Sequence, residues 1–274
     1  MTVLHRRELP PLLRAIHDPP KRLYLRGARG PELLARPAVA IVGARACSPY
    51  GAQVARMLGR RLAAAGAVVV SGLARGIDGE AHRGALDAGG TTVAVLGCGI
   101  DRDYPAAHAT LAGEIAETSL LISEYEPGIE PAPWRFPARN RILAGLCLAT
   151  IVVEARERSG ALITADFALE EGREVLSVPG EITSALSAGT NALLRLGATP
   201  LTSAEDALDA LGLESPAMPE AAGDPLLDLL PGTIDELAAS TGRPVHELAA
   251  TLSGLELAGL VAEGEGVFRR LAPG

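Results

Sequence analysis

One phrase recurs through the middle of the chain and restricts its fold more than any other feature. A short apolar run, mostly β-branched, ends in Gly or a polar residue and is followed by a polar loop and a helical pattern. The runs are VAIVG (39–43), VVVSG (68–72), VAVLG (93–97), LLISE (120–124), TIVVE (150–154) and VLSVPG (175–180). Runs without alternation indicate strands buried on both faces, as in parallel sheets. The pattern predicts an α/β fold, an extended Rossmann-like, doubly wound and mostly parallel sheet.

The last quarter of the chain predicts a second, smaller module. A stretch rich in Pro, Ala and Gly precedes a helix, a helix-turn-helix pattern and two short strands, an order typical of a winged helix. The expected organisation is a short N-terminal extension at 1–22, a Rossmann-like domain at 23–212, a linker at 213–223 and a winged-helix domain at 224–274.

Charge is distributed unevenly along the chain. The total is 25 basic and 33 acidic residues, yet residues 1–60 hold 11 basic and 3 acidic ones, whereas residues 203–274 hold 3 and 13. A winged helix that reads DNA needs cations to neutralise phosphates, so the acidic module is interpreted as a protein-contact module. Any polyanion is expected to bind the Rossmann-like domain instead.

Several classes of protein are disfavoured by the sequence. Three widely spaced cysteines without a CxxC pair favour a reducing cytoplasm over a disulfide framework or a zinc site. No leader is apparent, and the longest apolar run, residues 142–153, is too short to span a bilayer, so we expect no membrane contact. The sequence lacks GxxxxGK[ST], HExxH, GxSxG and paired carboxylates in a suggestive loop. We therefore expect no catalytic residue, no metal ligand and no cofactor.

The loops that follow the first two central strands are candidate anion sites. Gly43 allows a ligand to approach the backbone closely, and the next helix offers free N–H groups. Arg45 replaces the second glycine of a dinucleotide fingerprint, which favours a guanidinium beside an anion over a bound dinucleotide. The alternative is a structural ion pair at the strand end. In the next loop, Arg75 either contacts phosphate or pairs with Asp78 or Asp101, and both interpretations stay open.

The segment from Trp134 to Arg141 is the most informative. Three arginines, one asparagine and two aromatic residues fall within eight positions at the start of a predicted helix. Such a mixture supplies charge for phosphates, faces for stacking and an amide for base edges, as in single-strand binding. The alternative is that Phe136 belongs to the core and the arginines are solvated. Ser159 and Gly160 begin a later helix and suit a close anion contact.

These loops carry a resemblance to a known family. VAIVGAR, SGLARGIDGEAHRGAL, GCGIDRDYP, ISEYEPG, FPARNRILAGL and VVEARERSGALITADFAL occur in that order between about residues 23 and 201. These blocks closely resemble those of the DNA-processing protein A family, also called Smf. The C-terminal module resembles the winged-helix appendage that many members carry.

The resemblance implies a protein without catalytic activity that binds single-stranded DNA, forms a homodimer through the Rossmann-like domain and loads the RecA recombinase in natural transformation. It matches Gly43, Arg45 and Ser48 to the family's first DNA-pocket loop. Arg135, Phe136, Asn140 and Arg141 match its FPxRNR block, with Ser159 and Gly160 beside them. The full set of predicted DNA-binding residues is Gly43, Arg45, Ser48, Arg75, Arg135, Phe136, Arg139, Asn140, Arg141, Ser159 and Gly160.

Two alternatives come from other classes of function. Nucleotide phosphoribohydrolases resemble this fold and carry PGGxGTxxE, but here Pro179-Gly180 and Gly189-Thr190 are nine residues apart and Leu193 occupies the position of the catalytic Glu. A transcriptional regulator acting through its winged helix is disfavoured by the acidic C-terminal module.

Overall fold

The computed structural model describes residues 1–214, 224–257, 260–264 and 266–271. The chain divides into two compact units, Met1–Ser215 and Pro216–Gly274. Residues 215–223, which hold most of the predicted linker at 213–223, lie outside the described residues. The predicted extension at 1–22 contributes a strand and a short helix to the first unit.

A nine-stranded sheet organises the first unit. Its strands are β1 (Thr2–His5), β2 (Arg22–Gly27), β3 (Ala38–Val42), β4 (Val68–Ser71), β5 (Thr92–Leu96), β6 (Leu120–Ser123), β7 (Ala149–Val152), β8 (Glu174–Ser177) and β9 (Thr199–Pro200). The spatial order is β1-β2-β6-β5-β4-β3-β7-β8-β9. The seven strands from β6 to β9 pair in parallel, while β1 and β2 pair antiparallel at one side. The prediction of a doubly wound, mostly parallel sheet is confirmed.

Helices cover both faces of this sheet. They are α1 (Pro11–Arg14), α2 (Pro49–Ala64), α3 (Ile77–Asp87), α4 (Ala109–Thr118), α5 (Arg135–Leu146), α6 (Gly160–Glu170), α7 (Ala188–Arg195) and α8 (Ala204–Leu211). Residues of β3, β4, β5 and β7 are buried on both faces, which explains why their sequences do not alternate. One core packs α5 and α6 against the sheet, and another packs α2, α3 and α8 against the other face.

The chain order of the strands creates a switch point. From β3 the chain proceeds outward through β4, β5 and β6, and then returns to place β7 on the other side of β3. The loops after β3 and β7 therefore diverge at the carboxyl edge of the sheet. In open α/β sheets this crevice is where ligands bind.

The second unit is a winged helix, as predicted. A 3₁₀ turn at Pro225–Leu229 leads to β10 (Gly232–Thr233), α9 (Ile234–Thr241), α10 (Val245–Leu257), β11 (Val261–Gly264) and β12 (Val267–Arg270). The three strands pair in the order β10-β12-β11. Its core is built from leucines, among them Leu226, Leu237, Leu248 and Leu252. Within the described ranges, no helix is long and apolar enough to cross a membrane.

Candidate functional site

A cavity of about 350 Å³ opens at the carboxyl edge of the sheet, at the switch point between β3 and β7. Four segments and Leu186 line it; the segments are the loop after β3, the loop before α3, the start of α5, and the loop that leads from β7 into α6. Seven of the eleven predicted residues are among the lining ones: Gly43, Arg45, Phe136, Arg139, Asn140, Ser159 and Gly160. The other four, Ser48, Arg75, Arg135 and Arg141, do not line this cavity.

Arg45 and Phe136 face each other in the cavity. The guanidinium carbon of Arg45 lies 5.5 Å from the centroid of the Phe136 ring, a cation–π arrangement. The side chain of Arg45 is exposed, and it has no ion-pair partner within the described parts of the chain, so the structural ion pair considered for it is not found. Phe136 is half-buried and packs against Gly97, where a Cβ would lie 2.7 Å from its Cδ1. The pair therefore combines a cation with a ring held by the protein.

Small residues bring the backbone close to the cavity. At Gly43 a Cβ would lie 2.6 Å from Cγ1 of Ile77, so any side chain would displace the start of α3. Gly76, immediately before α3, has φ of 77° and would place a Cβ 2.3 Å from the carbonyl oxygen of Ala44. Both positions require glycine because of this close packing and, at Gly76, because of the left-handed backbone.

The N-terminus of α6 lies at the cavity. Ser159 is its N-cap, and the Ser159 hydroxyl accepts a hydrogen bond from the Ala161 N–H. The Asn140 side-chain amide donates to the Gly160 carbonyl oxygen at 3.1 Å, which fixes this loop to α5. Free N–H groups at a helix N-terminus attract anions. Asn140 is buried and its Oδ1 accepts from Arg139 at 3.2 Å, so its amide positions the loop.

Arg139 is a buried cation rather than a solvated one. Its Nη1 donates to the carbonyl oxygens of Gly72, at 3.0 Å, and Val95. Burial lowers the pKa of this guanidinium to about 10, against the opposing effect of Asp78, and it stays charged at neutral pH. Burial also raises the pKa of Asp78, although Arg139 and hydrogen bonds from Ala74 and Gly72 act in the opposite sense. Arg139 is therefore a positioning residue for the loop after β4.

Ser48, Arg141 and Arg75 lie outside the cavity. The Ser48 hydroxyl donates to the buried carboxylate of Glu154 and accepts from the Gly51 N–H at 3.0 Å, as the N-cap of α2. Arg141 forms a double hydrogen bond with Glu124 at 2.7 and 2.8 Å and another with Asp18 at 3.0 Å. Arg75 is exposed and pairs with neither Asp78 nor Asp101. The hydrogen-bonding groups of Ser48 and Arg141 are thus used within the protein.

Two arginines of the cavity were missed by the sequence analysis. Arg156 and Arg158 are exposed and line the cavity on the side of α6. They flank Glu157 immediately before Ser159, a pattern that ordinary surface charges also show. With Arg45 and Arg139 they give the lining four cations against one carboxylate, Asp78. This balance suits a polyanion.

The charged groups do not form a metal centre in the described part of the chain: no group of three or more His, Cys, Asp or Glu side chains is arranged to hold a metal ion. Leu193, at the position where a phosphoribohydrolase would carry its Glu, is buried in the core.

Comparisons with known proteins give a consistent result. The family model of DNA recombination-mediator protein A matches residues 1–212, and that of the DprA winged helix domain matches residues 214–266. The DNA processing protein DprA of Streptococcus pneumoniae is 48% identical over 200 residues, which covers 72% of this chain and 68% of that protein. Protein Smf of Escherichia coli is 39% identical over 283 residues, an alignment that covers 96% of this chain and 75% of that protein.

Two solved structures share the fold over about three quarters of this chain. The X-ray structure of DprA from Streptococcus pneumoniae has a TM-score of 0.73 at 45% identity and covers 76% of this chain and 73% of that chain. A structure of DprA from Helicobacter pylori has a TM-score of 0.70 at 34% identity and covers 77% of this chain and 94% of that chain. The latter is described as revealing a single-stranded DNA binding mode.

Proposed function

The chain belongs to the DNA recombination-mediator protein A family, and on that premise we propose that its cavity binds single-stranded DNA in recombination and natural transformation. The protein acts by holding the strand rather than by changing it. The single-stranded DNA binding mode described for the Helicobacter pylori relative supports this proposal.

The observation that carries the proposal is the pairing of Arg45 with Phe136 in a cavity whose other exposed charges are Arg156 and Arg158. Aromatic rings stack on bases of any identity, and arginines neutralise phosphates. The N-terminus of α6 adds the positive end of a helix dipole, which favours a phosphate oxygen.

The size of the cavity favours a single strand over a duplex. At about 350 Å³ it falls in the range of small-ligand sites, so it accommodates individual nucleotides of a strand. A base reaches the Phe136 ring only when it is unpaired and unstacked from its neighbours. Duplex DNA is therefore held only through weaker contacts to its phosphates.

Two partners complete the proposal. We propose that the bound strand is passed to the RecA recombinase in the cytoplasm, and that the protein works as a homodimer through its first unit. Membership in a family named as a recombination mediator supports the first part. Both are separable from DNA binding, because the cavity lies within one chain.

A salt-titrated comparison of oligo-dT and a duplex of equal length tests the proposal. Fluorescence anisotropy of labelled DNA gives both affinities between low and moderate salt. We expect tighter binding of oligo-dT, with a slope of log K against log salt of about −2 to −3 for three or four phosphate contacts to a single strand. Equal affinity for the duplex at moderate salt would contradict the proposal.

A further inference from the structure

A second group of stacking side chains lies next to the cavity but does not line it. We define the aromatic cluster as Tyr125, Trp134 and Arg135. The guanidinium carbon of Arg135 lies 4.8 Å from the Trp134 ring centroid and 5.1 Å from that of Tyr125. The two rings meet edge to face, with centroids 6.5 Å apart and an angle of 85° between their planes.

The cluster leaves a large aromatic surface in solvent. Trp134 is 63% exposed, although tryptophan is a residue that proteins usually bury to a large extent. Its neighbours hold it in place: Arg135 hydrogen-bonds to the Glu130 carbonyl oxygen while its guanidinium faces both rings. A ring fixed in this way loses little conformational entropy when a planar ligand stacks on it.

We propose that the aromatic cluster is a second base-binding site, where a nucleobase of the strand held in the cavity stacks on Trp134 and Arg135 contacts a neighbouring phosphate. The inference rests on the proposed function, since the cavity supplies the first point of attachment. It extends that function by placing Trp134 with Tyr125 in a separate stacking site outside the cavity and by lengthening the DNA-binding surface.

Continuity with the cavity favours a nucleobase as the occupant. Trp134 and Arg135 stand at the beginning of α5, and Phe136, the next residue, lines the cavity. Tyr104 stacks on Phe136 with ring centroids 5.4 Å apart and is itself 42% exposed, so aromatic surface extends outward from the cavity. A strand that leaves the cavity at Phe136 therefore finds further stacking groups at the same end of one helix.

The charges around the cluster are mixed: Glu124 is paired with Arg141 at 2.7 Å, whereas Glu126 is exposed next to Tyr125. Glu130 is paired with Arg102 at 2.8 Å, so its negative charge is offset. Arg135 adds a cation beside the two rings, and Arg can contribute to base binding through stacking as well as charge. Trp, Tyr and Arg are also common at protein interfaces, so a protein occupant is the alternative that the experiment must separate.

Trp134 is the one tryptophan in the sequence, so fluorescence excited selectively at tryptophan reports on this site alone. The full chain is titrated with unlabelled oligo-dT of about 4 and about 12 nucleotides, lengths within the range of single-strand sites. Anisotropy of labelled oligo-dT follows binding independently. We expect the 12-mer to quench Trp134 with the same midpoint as the anisotropy, and the 4-mer to bind the cavity with little quenching.

Variants test the energetic contribution. Trp134→Leu should weaken binding of the 12-mer by about 5- to 150-fold, the range for loss of one stacked base, and that of the 4-mer by less than about twofold. Leu169→Ala, which removes another exposed apolar side chain, is the matched control and should leave both affinities unchanged.

The possible failures are distinguishable. If the 12-mer binds by anisotropy without quenching Trp134, or if Trp134→Leu binds it like the parent, the second site is refuted while the cavity proposal stands. Equal weakening of the 4-mer and the 12-mer would also refute it, because Trp134 would then act through the cavity. If neither oligonucleotide binds the parent protein, the proposed function itself fails.

Discussion

Asp78 and Arg139 hold Gly72 through the two backbone groups of this one residue, its N–H and its carbonyl oxygen. The Asp78 carboxylate accepts a hydrogen bond from the Gly72 N–H at 3.0 Å, and Arg139 donates to the Gly72 carbonyl oxygen at 3.0 Å. A Cβ on Gly72 would lie 2.5 Å from Nη2 of Arg139 and 2.7 Å from Oδ2 of Asp78, so only glycine fits between them. This buried arrangement fixes the loop after β4 and joins it to α5, the helix that carries Phe136.

Breaking this arrangement on one side should be strongly destabilising. Arg139→Met leaves the Asp78 carboxylate buried without its cation, and we expect the free energy of unfolding to fall by about 3–5 kcal/mol. Urea denaturation at neutral pH measures the loss.

The matched test is a double-mutant cycle with Asp78→Asn. Both residues hydrogen-bond to Gly72, and their opposite charges interact. The double variant should therefore lose less stability than the sum of the losses in the two single variants. Additive losses would indicate that the two side chains act independently.

Arg45→Ala should weaken single-strand binding without unfolding the protein. The side chain is exposed and its cation lies over Phe136, so we expect about a 10-fold loss of affinity for oligo-dT, or about 1.4 kcal/mol, and a salt slope smaller by about one. Anisotropy titrations at several salt concentrations give both quantities.

Arg36→Ala is the control for that loss of charge. Arg36 is also exposed, and its substitution likewise removes one cation. It precedes β3, however, and so lies at the opposite edge of the sheet from the cavity. Its effect should stay within about twofold, as expected for a distant charge at moderate salt. An equal loss in both variants would mean that net charge, not the cavity, determines binding.

The fold could be predicted from the sequence because its signals are local and repeated. Six apolar runs without alternation predicted buried parallel strands, and all six correspond to β3–β8. Strands β1 and β2 were not predicted, since they lie outside the repeated pattern and their antiparallel pairing spans a 3₁₀ turn and a short helix.

The site was predicted only in part, because side-chain partners are set by tertiary structure. The pattern placed Arg45, Phe136 and Ser159 in loops at one sheet edge, and they line one cavity. Arg139 and Arg141 look equivalent in sequence, yet one is buried beside Gly72 and the other is held by carboxylates 17 and 123 residues away. Arg156 and Arg158 could not be told from solvated charges.

Acid should destabilise the protein through His82. This histidine is fully buried, its Nδ1 is hydrogen-bonded to Thr92 Oγ1 at 2.6 Å, and burial lowers its pKa to about 3 from an ordinary 6.5. The unfolded chain therefore binds a proton between these values that the folded chain does not. Stability should be complete above pH 6.5 and fall by about 1.4 kcal/mol per pH unit as the pH drops toward 3.

Comparison of pH slopes isolates that contribution. In His82→Asn the side-chain amide can still donate to Thr92 but does not titrate. The free energy of unfolding of this variant should therefore fall less per pH unit between pH 6 and pH 4 than that of the parent protein. The contribution of Asp78 is common to both proteins and cancels. Identical slopes would show that His82 is not responsible for acid sensitivity.

Removal of the second unit should leave DNA binding in place. Residues 216–274 hold three basic and nine acidic residues, whereas every residue lining the cavity belongs to the first unit. A chain truncated after Ser215 should bind oligo-dT within about twofold of the full chain, or slightly more tightly because a repulsive charge is gone. A large loss on truncation would assign DNA contacts to the winged helix.

The most direct test of the cavity as the single-strand site is photo-crosslinking with oligo-dT that contains 4-thiothymidine. The crosslinked full chain is digested with a protease that does not cut at arginine, and mass spectrometry locates the modified peptide. We predict that crosslinks fall on the start of α5, at or next to Phe136, and that Arg45→Ala reduces their yield. Crosslinks confined to the winged helix, or spread evenly over the surface and unaffected by Arg45→Ala, would contradict the account.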